Sequence, residues 1–274
     1  MATLAGRFVG REHGPDVLSG TPRAHAIDRW IFMFMAVWFI AIVLTGFIPD
    51  SIMKVGMVRA AERPPFPLVL HMHAVLMGSF LLLLLAQTWL MATGRRALHM
   101  QLGTLAFVLA PALIIVGFVL APTMYYQTWN ALQSAPPEAQ EKLKAGLAFS
   151  ENIKLVQMRI GILFALFLAI GLPARRNDAG LHKRMMILAT AIPLPAGIDR
   201  IAWLPSTLPG SPLSTMIGPV IAVSPMFAWD VIRNRNIHRA YWIWLGLSLP
   251  VFVIEYILWD TPWWHATARA MMGV

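Results

Sequence analysis

WIFMFMAVWFIAIVLTGFIP, residues 30–49, runs for 20 residues without one charged side chain. A helix rising about 1.5 Å per residue covers about 30 Å over that length, the thickness of a bilayer's hydrocarbon core. A helix at a protein–water boundary is apolar along one stripe, whereas this stretch is apolar all round and is expected to lie in lipid. Outward from it, comparable stretches occupy 67–92, 102–122, 156–173, 183–204, 213–232 and 240–260. The expected fold is all-α: one seven-transmembrane-helix bundle over 30–274, preceded by a tail over 1–29. The least regular stretch is 183–204, which Pro193, Pro195, Gly197, Asp199 and Arg200 interrupt.

Composition agrees. Of 274 residues, 58% are hydrophobic and 13% charged, against roughly 25% charged in an average soluble domain. That excludes a soluble enzyme, a disordered chain and a nucleic-acid-binding module. Lys and Arg number 22 against 13 Asp and Glu, a formal charge of +9. The basic residues sit in short clusters between apolar runs, where they act as topology signals. The absence of Cys excludes disulfides, thiolate metal ligands and covalent c-type haem attachment. The polar segment 1–29 leads straight into a span too long for a cleaved leader, so no signal peptide is expected.

Loop charge sets an expected orientation in a bacterial inner membrane. Arg7, Arg11, Arg23 and Arg29 precede the first span. Arg95 and Arg96 follow the second, Arg175, Arg176, Lys183 and Arg184 the fourth, and Arg233, Arg235 and Arg239 the sixth. Seven crossings put all of these on one side, cytoplasmic by the positive-inside bias, with the C-terminus outside. The long external connection 123–155 contains PPEAQEKLKAGLAF, residues 136–149. Its paired prolines suit a first helical turn, and Leu143, Leu147 and Ala148 share a face, which reads as a helix on the membrane surface or a lid.

Ionisable groups at bilayer depth are costly and are functional candidates by default. They are His71, His73, Arg159, Asp199, Arg200 and Glu255. At about 1.5 Å per residue, His73, Asp199 and Glu255 fall at similar depth in the outer part of the bilayer. At about 100° per residue, His71 and His73 point in nearly opposite directions. His73 shares a face with Met77, Phe80, Leu84 and Gln87, and Glu255 shares one with Ser248, Trp244 and Tyr241. Both faces are expected to turn inward. Imidazole and carboxylate together suit Fe, Cu or Zn, and a lone histidine suits axial haem ligation. For a metal or haem, His73 is the principal candidate ligand, with His71, Asp199 and Glu255 as co-ligands and Arg200 or Arg159 balancing charge. The same residues also fit plain helix–helix hydrogen bonds and ion pairs, or a proton or substrate relay. A bis-histidine haem is not expected, because His73 and His99 are about 39 Å apart along a continuous helix.

Arg95-Arg96-Ala97-Leu98-His99, Leu181-His182-Lys183-Arg184 and Asn236-Ile237-His238-Arg239 each place cations where a helix re-enters the bilayer. They read as topology determinants that snorkel to anionic lipid. Ile192-Pro193-Leu194-Pro195-Ala196-Gly197, just before Asp199, reads as a broken helix aimed at the polar layer.

The stretch Pro67-Leu68-Val69-Leu70-His71-Met72-His73, with Gln87 and Leu98-His99-Met100-Gln101-Leu102-Gly103 after it, resembles uncharacterised polytopic bacterial inner-membrane proteins. Leu181-His182-Lys183-Arg184-Met185, Asp230 and His238-Arg239-Ala240-Tyr241 are similar to the same group. The resemblance implies a polytopic inner-membrane protein and no particular reaction. The leading functional expectation is a metal- or haem-binding pocket in the outer leaflet serving redox chemistry. A non-catalytic subunit of a larger respiratory or photosynthetic complex and a carrier of a small amphiphile are the competing ones. The expected partners are the lipid bilayer, anionic lipids and other membrane subunits.

Overall fold

The computed structural model describes residues 16–274; Arg7, Arg11 and His13 lie outside the described residues. The chain forms α1 (Ala26–Arg59), α2 (Leu68–Ala92), α3 (Arg96–Leu102), a 3-10 turn (Gly103–Leu105) and α4 (Ala106–Gln133). There follow α5 (Pro137–Ala174), α6 (Ala179–Ala191), α7 (Pro195–Ile198), α8 (Leu213–Asn234), α9 (Arg239–Leu258) and α10 (Pro262–Met272). Among the described residues six stretches are long and apolar enough to cross a membrane: α1, α2, the run Arg96–Gln133, α5, α8 and α9. Phe34, Val108, Ile115, Ile221 and Ile257 are exposed on these helices, as side chains that meet lipid should be. The protein is an all-α, multi-pass integral membrane protein.

Asp28, near the start of α1, pairs with Arg233 at the end of α8, and Asp50, on the same α1, pairs with Arg200. These layers are about 33 Å apart along α1. The segment α6–α7 runs between them, from Arg184 beside Asp230 to Arg200 beside Asp50. It contacts α1, α5, α8 and α9. Met185, Ile187, Leu188, Ala189 and Ala191 are all buried, so most of the α6 surface is enclosed by its neighbours, with His182 and Met186 half-buried on the remaining face. This explains its modest hydropathy: small and polar residues are tolerated where neighbouring helices, not lipid, surround the chain.

The seventh expected span, 183–204, is not among the six: as its sequence suggests, it breaks where proline dictates, into the 13-residue α6 and the short α7. Pro193 and Pro195 lack N–H groups, and the backbone closes with tighter bonds instead, Ile192 N–H to the Ala189 carbonyl and Leu194 N–H to that of Ala191. The short α7 packs against α1 at Gly46. A methyl group there would strike the Gly197 carbonyl, so glycine at 46 is what permits the approach.

The connection 123–155 differs from expectation. A helix does begin at the paired prolines, with Pro137 in its first turn, but it does not lie as a separate element on the surface. It continues unbroken into the fourth span as α5, 38 residues long. The reason is visible in its packing: Leu147, Glu151, Leu155, Arg159, Leu163, Phe167 and Gly171 are all buried at intervals of four, one stripe from end to end. At about 1.5 Å per residue α5 is about 57 Å long and outruns the hydrocarbon core. Beside its projecting end sits α10, which the hydropathy profile does not announce.

Candidate functional site

Around the broken end of α7, α5, α8 and α9 bring polar groups together. Arg159 of α5 donates from Nε to Glu255 Oε2 of α9 at 2.5 Å, and from Nη2 to Thr215 Oγ1 of α8 at 2.9 Å. Arg159 and Glu255 are each about 2% exposed, and Thr215 Oγ1 in turn donates to the Pro212 carbonyl at 2.7 Å. Next to Thr215, Ser214 lies within 3.4 Å of Ser206, which donates to Asp199 Oδ1 at 3.3 Å. Asp199 is half-buried and Ser206 and Trp203 are exposed, so the cluster runs from an open rim to an enclosed ion pair.

Charge in this cluster is unevenly matched. Glu255 is held by Arg159, and Asp50 by Lys54 at 2.7 Å and Arg200 at 3.2 Å. Arg200 thus turns away from its neighbour Asp199. Among the described residues Asp199 makes no salt bridge.

Helical phase places the histidines as read from the sequence. Met77, Gln87 and His73 are half-buried and Phe80 and Leu84 buried, while His71, Val75 and Leu82 are exposed. The Tyr241, Trp244, Ser248 and Glu255 stripe is buried. His71 meets the edge of the Phe66 ring, 6.2 Å between centroids. The His73 ring lies against Gly117 of α4, and its Nδ1 is buried without a hydrogen-bond partner. The structure therefore joins Asp199 to the Arg159–Glu255 pair but leaves both histidines on α2. Among the described residues no three His, Asp or Glu side chains are gathered closely enough to hold a metal ion. The set His71, His73, Asp199 and Glu255 does not fit a mononuclear site.

The basic clusters at the opposite end behave differently from one another. Arg95 and Arg96 are exposed, as lipid contacts should be. Arg184, expected at lipid phosphates, is instead fully buried and forked onto two carboxylates. Its Nε and Nη2 reach Asp230 at 2.5 and 2.7 Å, and its Nη1 and Nη2 reach Asp16 at 2.9 and 3.0 Å. Tyr241 and Asn234 also donate to Asp230, at 2.9 and 2.6 Å. Lys183 pairs with Asp16 at 2.6 Å, and His182 Nδ1 lies 2.8 Å from the Gly171 carbonyl. His99 Nδ1 lies 3.3 Å from the Gln87 carbonyl, Arg239 pairs with Asp178, and His238 caps α9. Arg184, Lys183 and His182, with Arg239 on the N-cap Asp178, lock the N-terminal end of α6 to its neighbours. Burial, opposed and outweighed by Arg184 and Lys183, leaves the Asp16 carboxyl well below the usual carboxylate range.

A third cluster escaped the sequence. Glu151, 0% exposed, accepts from His265 Nδ1 at 2.6 Å, Arg269 Nε at 2.8 Å and Tyr125 at 3.1 Å. Nε2 of His265 meets Asp260 Oδ1 at 3.0 Å. Both ring nitrogens face carboxylates. Lys154, a loop charge by sequence, is buried above the Tyr125 ring at 5.6 Å. The four-residue spacing from Leu147 to Gly171 was the available signal.

Comparison with family models, curated proteins and solved structures finds no match to this chain.

Proposed function

We propose that this integral membrane protein binds a small amphiphile with a cationic head group at the rim formed by Asp199, Ser206 and Trp203. The observation that carries the reading is Asp199: it is the carboxylate of the outer cluster that lacks a cation, at the end of a helix broken by Pro193 and Pro195. Half-helices ending at a polar layer are a recurrent way of building substrate sites in membranes. An exposed Trp near the acid adds an aromatic face suited to an organic cation. If α6–α7 forms a seventh crossing, the positive-inside bias favours a cytoplasmic N-terminus and a rim that opens outward. The reading makes the protein a carrier or receptor.

The probe is tetraphenylphosphonium, with tetraphenylborate as its counterpart of equal shape and opposite charge. At 100 times its Kd a ligand stabilises the folded state by about 2.7 kcal/mol. The cation is expected to raise the melting temperature of the detergent-purified protein and the anion is not, and Asp199→Asn abolishes the shift. Equal shifts from both ions, or a shift retained in Asp199→Asn, sink the reading.

A second reading rests on the unpartnered Nδ1 of His73. A buried imidazole nitrogen without a hydrogen bond suits a single axial bond to a haem, in a subunit role within a larger respiratory or photosynthetic complex.

A further inference from the structure

The α1–α2 surface near the basic end carries a groove of about 320 Å³ lined by Met33, Val37, Leu82, Leu85, Ala86 and Trp89. Its floor is apolar, and it lies within the last three turns of α2 and the first four of α1. That is the half of the bilayer nearest the arginines.

The turn that follows α2 fixes what stands at its mouth. Gly94 adopts φ +78°, Arg95 N–H bonds to the Leu90 carbonyl at 2.8 Å and Gly94 N–H to that of Met91 at 3.1 Å. This paired closure with glycine in the left-handed region is the Schellman ending, and it folds the chain back on the helix. Arg95 consequently lies over the Trp89 ring, its Cζ 4.8 Å from the centroid. Across the groove Arg29 donates from Nε to the Ala92 carbonyl at 2.7 Å. Among the described residues Arg23, Arg29, Arg95 and Arg96 form no salt bridge. Arg29 and Arg95, two guanidinium groups without carboxylates among the described residues, thus stand at the headgroup end of an apolar trough. Asp28, the nearest acid on α1, is buried and taken by Arg233 at 2.8 Å.

We infer that the groove is a binding site for one acidic phospholipid, whose phosphodiester sits between Arg29 and Arg95 and whose acyl chain lies along Trp89, Leu82 and Val37. Charge complementarity selects this occupant: a neutral lipid would leave the arginines unmatched, and guanidinium forks fit phosphate oxygens in pairs. The site uses none of the residues at the Asp199 rim and stands independently of the function proposed for them.

The test reconstitutes the protein in an equimolar mixture of phosphatidylglycerol and phosphatidylcholine. The lipid retained after detergent extraction is then counted by native mass spectrometry. Wild type is expected to keep one phosphatidylglycerol at about tenfold preference, given the strength of a basic side chain near an anionic surface. Arg29→Gln/Arg95→Gln loses the preference. Ala86→Trp, with Val37→Trp as a second obstruction should the first fail to fold, fills the trough, keeps every arginine and loses retention. Equal retention of both lipids by wild type, or undiminished retention in a folded, obstructed variant, overturns the inference. A second protein found in the groove instead of lipid overturns it too.

Discussion

Replacing Arg159 by Met isolates what the buried ion pair is for. Glu255 would keep only Thr215 Oγ1, at 3.5 Å, and would stay in a site where it is about 2% exposed. Removing one member of a buried pair costs about 3–5 kcal/mol, because the other charge is left without compensation. For a chain of this length each kcal/mol moves the melting temperature by roughly 2 °C. The single variant should therefore melt roughly 6–10 °C below wild type. Arg159→Met/Glu255→Met removes both charges, and apolar replacement of a whole buried pair is about neutral. The double variant should recover most of the loss. Trp fluorescence through a thermal ramp in non-ionic detergent reads all of the proteins in the cycle. If Arg159→Met melts within about 1 °C of wild type, or the double variant loses the sum of the singles, the pair is not coupled as described.

Two further outcomes follow from other parts of the molecule. Burial, and then the charge of Arg184, push the His238 imidazole down to about 4, against about 6.5 in an unfolded chain. Between those values the unfolded state binds a proton that the folded state does not, so stability falls as pH is lowered through that window. His238→Asn, which keeps a capping acceptor for the Ala240 N–H, should flatten this part of the profile, and an unchanged slope would contradict it. On the second reading, in which His73 holds a haem, iron analysis should find near-stoichiometric iron in wild type and little in His73→Ala. Equal amounts in both would remove the haem reading.

The spans were legible because lipid demands long apolar runs, and the breaks at Pro193 and Pro195 because proline's effect is local. The inward phases of His73 and Glu255 were legible for the same reason, since helical geometry alone fixes them. The fate of Arg184 was not. Its acceptors Asp230 and Asp16 are 46 and 168 residues away in sequence, and a cationic cluster at a helix end normally meets lipid. The outer connection misled in a different way. Lys142, Lys144, Glu151 and Lys154 lower the local hydropathy enough to hide the buried stripe that continues through them into the fourth span. The outer polar layer was readable as a depth, but pairing within it depends on which helices are neighbours, and hydropathy does not specify that.

Helix α5 joins places that the sequence keeps in separate compartments. One end is tied by Glu151 to α10, its middle holds Arg159, and its last turns contact α6 beside His182. A continuous helix about 57 Å long that tilts by about 5° about Arg159 moves one end through about 3 Å and the other through about 2 Å. A disturbance arriving on the hairpin of α4 and α5 or on the C-terminal helix would therefore be carried along α5 to its other end. The membrane would serve as fulcrum, and Arg159, near the pivot, would move least.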